Sequence, residues 1–221
     1  MSSRTLSTSF NNSTKLINWL LPIGIFIVSA TIRWFSLTQT NYANGWDAYY
    51  YLIQVRSLFE TGQMHSADLS LIYPLLVLAK SVTGNYVVAY KLTAALLSGL
   101  FSFGLYQLAI SWTKSHRIAV ILALISLFSP QLTYFAAQYP KNLLGMVLFM
   151  GFLVSLSARK HYYPIFLLVL NYFGHRLTFG LSGIVGIIYF LNKQFSRKTL
   201  FAIVGGGLFL LGIGFVLPGV L

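Results

Sequence analysis

The chain has 221 residues, of which 15 are Lys or Arg and only three are Asp or Glu. A charged fraction of 8% compares with about a quarter in ordinary soluble domains. With 57% hydrophobic residues and a mean hydropathy of +0.73, too little polar surface remains to cover a soluble globule. A soluble enzyme, a disordered chain and a nucleic-acid-binding module are excluded, which leaves an integral membrane protein. The net charge of +12 is then read as basic residues flanking membrane spans. There are no cysteines, so disulfides, thiolate metal ligands and Cys nucleophiles are excluded as well.

In chain order, residues 1–14 are rich in Ser, Thr and Asn and read as a flexible cytoplasmic tail. Residues 17–36 form an apolar run long enough to cross a bilayer, without the short core and cleavage site of a secretory signal. A long polar interval follows, 38–85. Apolar runs return at 86–112, 118–138, 142–158 and 200–217. The stretch 162–192 holds two short pieces, 162–173 and 177–191, split by Gly174-His175-Arg176. If it crosses twice, the clusters Arg4/Lys15, Lys114/Arg117, Arg159/Lys160 and Lys193/Arg197/Lys198 fall on one side, as the positive-inside rule prefers. The expectation is one all-α membrane domain, 15–221, of about seven spans, in a plasma (inner) membrane. Its N-terminus is cytoplasmic and its C-terminus outside. Freed backbone at the Gly-His-Arg hinge is tolerated only under protein or water, so the hinge marks a cavity. Gly205-Gly206-Gly207 reads as a close helix-packing surface.

All three acids, Asp47, Glu60 and Asp68, lie in the first outer loop. Within it, 46–59 has an amphipathic helical pattern, and 69–79 is a second apolar piece too short to span; both read as interfacial helices. Asn44 is the expected cap of the first, with Asp47 in its first turn. Asp47 is either a helix-terminal charge or a general base facing a partly dry cavity. Glu60 reads as a solvated helix end and Asp68 as a cap for 69–79. Arg33, near the outer end of the first run, either snorkels or pairs with a loop carboxylate. His65, His116 and His161 lack ligand spacing and read as interfacial.

This order of elements resembles the GT-C superfamily of membrane glycosyltransferases. The resemblance rests on Gly45-Trp46-Asp47-Ala48-Tyr49-Tyr50-Tyr51 after the first span and on Tyr73-Pro74 before an interfacial helix. It continues through Ala89-Tyr90-Lys91-Leu92 opening the next span, and the hinge Gly174-His175-Arg176-Leu177-Thr178. It covers roughly residues 15–220. Departures are Ala48 where a second acid often stands, and Lys141 in the loop Gln138-Tyr139-Pro140-Lys141-Asn142, where many members carry an acid.

The resemblance implies an inverting transfer of a sugar from a polyprenyl-phosphate carrier to an acceptor hydroxyl at the outer surface. No cofactor or divalent metal is implied, since no Asp-x-Asp pattern is present. Asp47 would be the catalytic base. His175, Arg176, Lys141 and Lys91 would hold the donor phosphate. Tyr50, Glu60 and Asp68 would contact acceptor or sugar. The implied partners are membrane lipid, the lipid-linked sugar and other membrane subunits, not nucleic acid. Two other readings stay open: a non-catalytic GT-C-like scaffold subunit, and a small lipid or solute transporter built on the broken helix pair.

Overall fold

The computed structural model describes residues 4–158 and 162–194, with side chains from Leu20 onward. The 200–217 run, Gly205-Gly206-Gly207, His161 and the basic residues 159, 160, 197 and 198 lie outside the described residues. The described chain is helical, with no strand: α1 (Arg4–Leu37), α2 (Trp46–Thr61), α3 (Ile72–Thr83), α4 (Tyr86–Thr113), α5 (His116–Leu127), α6 (Pro130–Gln138), α7 (Pro140–Ser157), α8 (Tyr163–Gly174) and α9 (Arg176–Gln194). Three segments are long and apolar enough to cross a membrane: Leu20–Leu37, Tyr86–Thr113 and Pro140–Ser157. A fourth arises if α5 and α6 form one bent span. The described chain is therefore that of a helical membrane protein.

The first compact unit runs Met1–Phe179; the second, Gly180–Leu221, is described only over the C-terminal part of α9. In the first unit α4 is central and packs against α1, α3, α5 and α7. Its buried face is built from Ala94, Ala95, Ser98, Gly99, Ser102 and Gly104. Small residues let helix backbones approach where lipid removes any hydrophobic drive for association. At Gly99 a Cβ would lie 2.8 Å from the Phe26 carbonyl oxygen of α1. Beside it, Ser102 Oγ lies 2.8 Å from both Ser29 Oγ of α1 and Ser126 Oγ of α5. Three hydroxyls thus satisfy one another inside the bundle.

The run 118–138, expected as one span, is broken. Pro130 lacks an N–H and disfavours helical backbone at Ser129, which is extended and caps α6 through Oγ to Leu132 N at 3.2 Å. The two pieces are bent by 54°. The break leaves Leu127 O without a helical donor. Arg33, 2% exposed, supplies Nη2 at 3.4 Å and donates Nη1 to Thr133 Oγ1. Arg33 therefore neither snorkels nor pairs with a carboxylate; it closes a helix end.

The break expected at the Gly-His-Arg hinge is present, with His175 extended between α8 and α9. Its freed carbonyls are covered by the segment between α2 and α3. Leu71 N donates to Phe173 O at 2.9 Å, and Ser70 Oγ to Gly174 O at 3.1 Å.

Candidate functional site

Asp47 stands in the first turn of α2, capped not by Asn44 but by Gly45. Asn44 instead donates from Nδ2 to Leu37 O at 3.0 Å, at the end of α1. Gly45 has φ 94°, and a Cβ there would meet the Gln138 side chain. Glycine takes this positive φ without strain where α2 approaches the end of α6. The approach brings Asp47 towards Tyr139, whose ring meets Tyr134 edge-on at 5.6 Å. The Tyr139 hydroxyl is pushed up, first by its hydrogen bond to Tyr134 and also by the Asp47 charge.

Asp68 does not cap the following helix, whose N-cap is Leu71. Its Oδ2 accepts from the Tyr73 hydroxyl at 2.6 Å and its Oδ1 from Lys141 Nζ at 2.5 Å. Both ends of this ion pair are largely sheltered, the Lys141 side chain 23% exposed and Asp68 19%. Burial alone would raise the Asp68 carboxyl. The hydrogen bonds from Lys141 and Tyr73, with the charges of Lys141 and Arg176, outweigh it and hold the group below its usual range. Burial and the bond to Asp68 push the Tyr73 hydroxyl far up, so it remains a donor.

The segment carrying Asp68 is pinned on both sides. Before it, Gln54, fully buried on α2, accepts from Ser66 N at 3.1 Å and donates to the Tyr50 hydroxyl at 2.9 Å. Tyr50 also shares a 3.1 Å bond with Ser66 Oγ, which lowers its hydroxyl most. After it, Ser70 and Leu71 hold the hinge. Tyr51, 7% exposed, lies with its ring 6.1 Å from that of Tyr73 and 6.3 Å from that of Tyr90. Burial first, then the charges of Asp68 and Asp47, raise its hydroxyl. Tyr51 thus feels both carboxylates.

Across from this loop, Gly145 of α7 leaves room for the hinge: a Cβ would lie 2.5 Å from both His175 Cβ and Thr178 Oγ1. Burial, followed by the Lys141 charge, lowers the His175 imidazole. Its Nδ1 is buried and, among the described residues, has no hydrogen-bond partner. Both amide atoms of Asn171, one turn earlier, are likewise buried and unpartnered. Arg176 is exposed as the first residue of α9, where the helix dipole adds positive potential.

Asp68, Lys141, His175 and Arg176 therefore gather at one corner, with Asp47 reaching it through the tyrosines. Two expected site residues lie elsewhere. Lys91 is 3% exposed and donates from Nζ to Thr40 O at 2.5 Å, closing the 38–45 loop. Glu60, about 20 Å along α2 from Asp47 at 1.5 Å per residue, pairs with Arg56 Nε at 3.1 Å and accepts from the Tyr86 hydroxyl at 3.2 Å. Tyr51, Tyr73 and Tyr139 were not singled out as a cluster by sequence reasoning. The signal available was the density of tyrosine beside the two carboxylates and before Pro74 and Pro140. Among the described residues no three His, Asp or Glu side chains form a group able to hold a metal ion. No family model matches this chain, and neither does any curated protein or solved structure.

Proposed function

We propose that the chain is a GT-C-like membrane module that transfers a sugar, with inversion, from a polyprenyl-phosphate carrier to an acceptor hydroxyl at the outer membrane face. The supporting observation is the convergence just described. The loop carrying Asp47 and Asp68 is hydrogen-bonded to the hinge carrying His175 and Arg176, through Ser70 and Leu71, and ion-paired to Lys141. Residues more than a hundred positions apart are thereby assembled at one corner.

In this reading Arg176 holds the donor phosphate, the N-terminus of α9 adds its dipole, and Lys141, ion-paired to Asp68 beforehand, engages the phosphate as its charge grows. The acceptor oxygen attacks the anomeric carbon and its proton passes to the Asp47 carboxylate. The bond between the anomeric carbon and the phosphate oxygen breaks, and its electron pair leaves on the phosphate. Cationic donors held at this corner stabilise that charge as it develops. Tyr139, next to Asp47, orients the acceptor.

The test is Asp47→Asn, assayed for transfer from a lipid-linked sugar alongside a folding readout. Loss of the base is expected to lower turnover by about 10²–10⁴-fold while the protein remains folded and membrane-inserted. Unaltered turnover would remove Asp47 from the chemistry.

A further inference from the structure

Lys141 is not free to receive a phosphate: a carboxylate already occupies it. Asp68 offers two oxygens to two separate donors, Oδ1 to Lys141 Nζ at 2.5 Å and Oδ2 to the Tyr73 hydroxyl at 2.6 Å. Two oxygens of a phosphate would meet the same donors. The Arg176 end of the hinge lies next to the same loop, because Ser70 and Leu71 bond the carbonyls of Gly174 and Phe173. Asp68 itself lies between two anchors. Ser66 is fixed to Gln54 and Ser70 to Gly174, while residues 67–69 between them belong to no helix. Leu69, the last residue of that segment, is 78% exposed. Between these anchors only residues 67–69 need rotate for Asp68 to be displaced, with α2, α3 and the hinge left in place.

We propose that Asp68 is the resident anion of the phosphate seat and its charge filter: it holds the place of a phosphate between Lys141 and Tyr73, so that a phosphate bearing two negative charges displaces it and one bearing a single charge does so poorly. This rests on the phosphate seat assigned above. A singly charged ligand exchanges one charge for another and gains little for breaking two bonds. A doubly charged ligand gains the additional attraction of Lys141, sheltered and so weakly screened, and of the more exposed Arg176 nearby. The filter also bears on the transfer step. A sugar phosphodiester carries one negative charge; when the bond to the anomeric carbon breaks, its electron pair makes the leaving group a monoester with close to two. The seat is then engaged more fully as the reaction proceeds than in the ground state, which is the condition for accelerating it. Asp68 is a specificity-determining residue here, not a catalytic one.

The experiment is calorimetric titration of the full chain in detergent with farnesyl phosphate, a dianionic monoester, and with its monoanionic methyl ester. Inorganic phosphate is a third ligand: comparable binding assigns recognition to the phosphate alone, and much weaker binding assigns it to a lipid-borne phosphate. Wild type is expected to prefer the monoester by about tenfold or more. Asp68→Asn should tighten both ligands, the methyl ester by about tenfold because the competent seat is no longer a minor state, and so narrow the preference. Asp68→Ser removes the same carboxylate and leaves both donors in place, and should shift both values the same way, which keeps the test open if Asp68→Asn does not fold. Lys141→Met should weaken both ligands by about tenfold or more. An unchanged preference in Asp68→Asn or Asp68→Ser would overturn the filter while the Lys141→Met loss left the seat standing. Wild-type affinity in Lys141→Met would overturn the seat and the filter together.

Discussion

Arg33 and Lys91 are buried cations that form no ion pair among the described residues. Both are neutralised by backbone oxygen at places where a helix stops. Lys91 takes Thr40 O beyond the end of α1, and Arg33 takes Leu127 O at the end of α5. The last carbonyls of a helix carry partial negative charge and have no internal donor. A guanidinium suits the α5 end because its fork reaches Leu127 O and Thr133 Oγ1 at once, on either side of the break. A snorkelling arginine would be replaceable at little cost, but a buried one that bridges two helices is not. Arg33→Ala removes packing and leaves Leu127 O and Thr133 without their donor, so it should destabilise the protein by about 3 kcal/mol. Thermal unfolding in detergent measures this, and a melting temperature equal to wild type would return Arg33 to the headgroup region.

At the scale of elements, two helix breaks are handled differently. The α5–α6 break is closed from within the bundle by Arg33, while the α8–α9 break is closed by the loop before α3. The second was legible because Gly174-His175-Arg176 interrupts an otherwise apolar stretch too long for one span. The first was concealed by continuous hydropathy across 118–138, although Ser129-Pro130 carried the local signal. The termini of α4 were legible too, since Asn85 caps it through Val87 N at 2.9 Å and Lys114 ends it in a left-handed turn. The partners of Asp68 were not: Lys141 is 73 positions away, and no local pattern encodes such a pairing. The hinge also needs a missing side chain opposite it. Gly145→Ala would set a Cβ 2.5 Å from His175 Cβ and Thr178 Oγ1, and the hinge must move off α7 to relieve it. Overpacking of this kind costs about 1–3 kcal/mol. Gly145→Ala should therefore lower the melting temperature and, under the glycosyl-transfer reading, turnover as well. A variant with both properties intact would show that the hinge has slack against α7.

For the molecule as a whole, the central helix sets the distance between two chemically different ends. At its start, α4 adjoins α3 and the loop with all three acids. At its other end lie Thr113, Lys114 and Arg117, with no carboxylate nearby in sequence. Its 28 residues extend over about 42 Å at 1.5 Å per residue, enough to pass a hydrocarbon core of about 30 Å. Serine hydroxyls within the bundle satisfy one another, and its outward faces carry Leu20, Ile27, Val28 and Leu124, all exposed apolar side chains that hydrocarbon can cover. If α4 spans, the acidic loop and the Thr113–Arg117 turn lie on opposite sides of the membrane, and the charge rule predicts the basic turn on the cytoplasmic side. The chain has no cysteine of its own, so single introduced cysteines report position without background. In intact cells, Gln63→Cys, on the exposed loop after α2, should react with a membrane-impermeant maleimide. Thr113→Cys should react only after the cells are opened. Equal labelling of both from outside would mean that α4 does not span the bilayer, and the outer-surface site would lose its geometric basis.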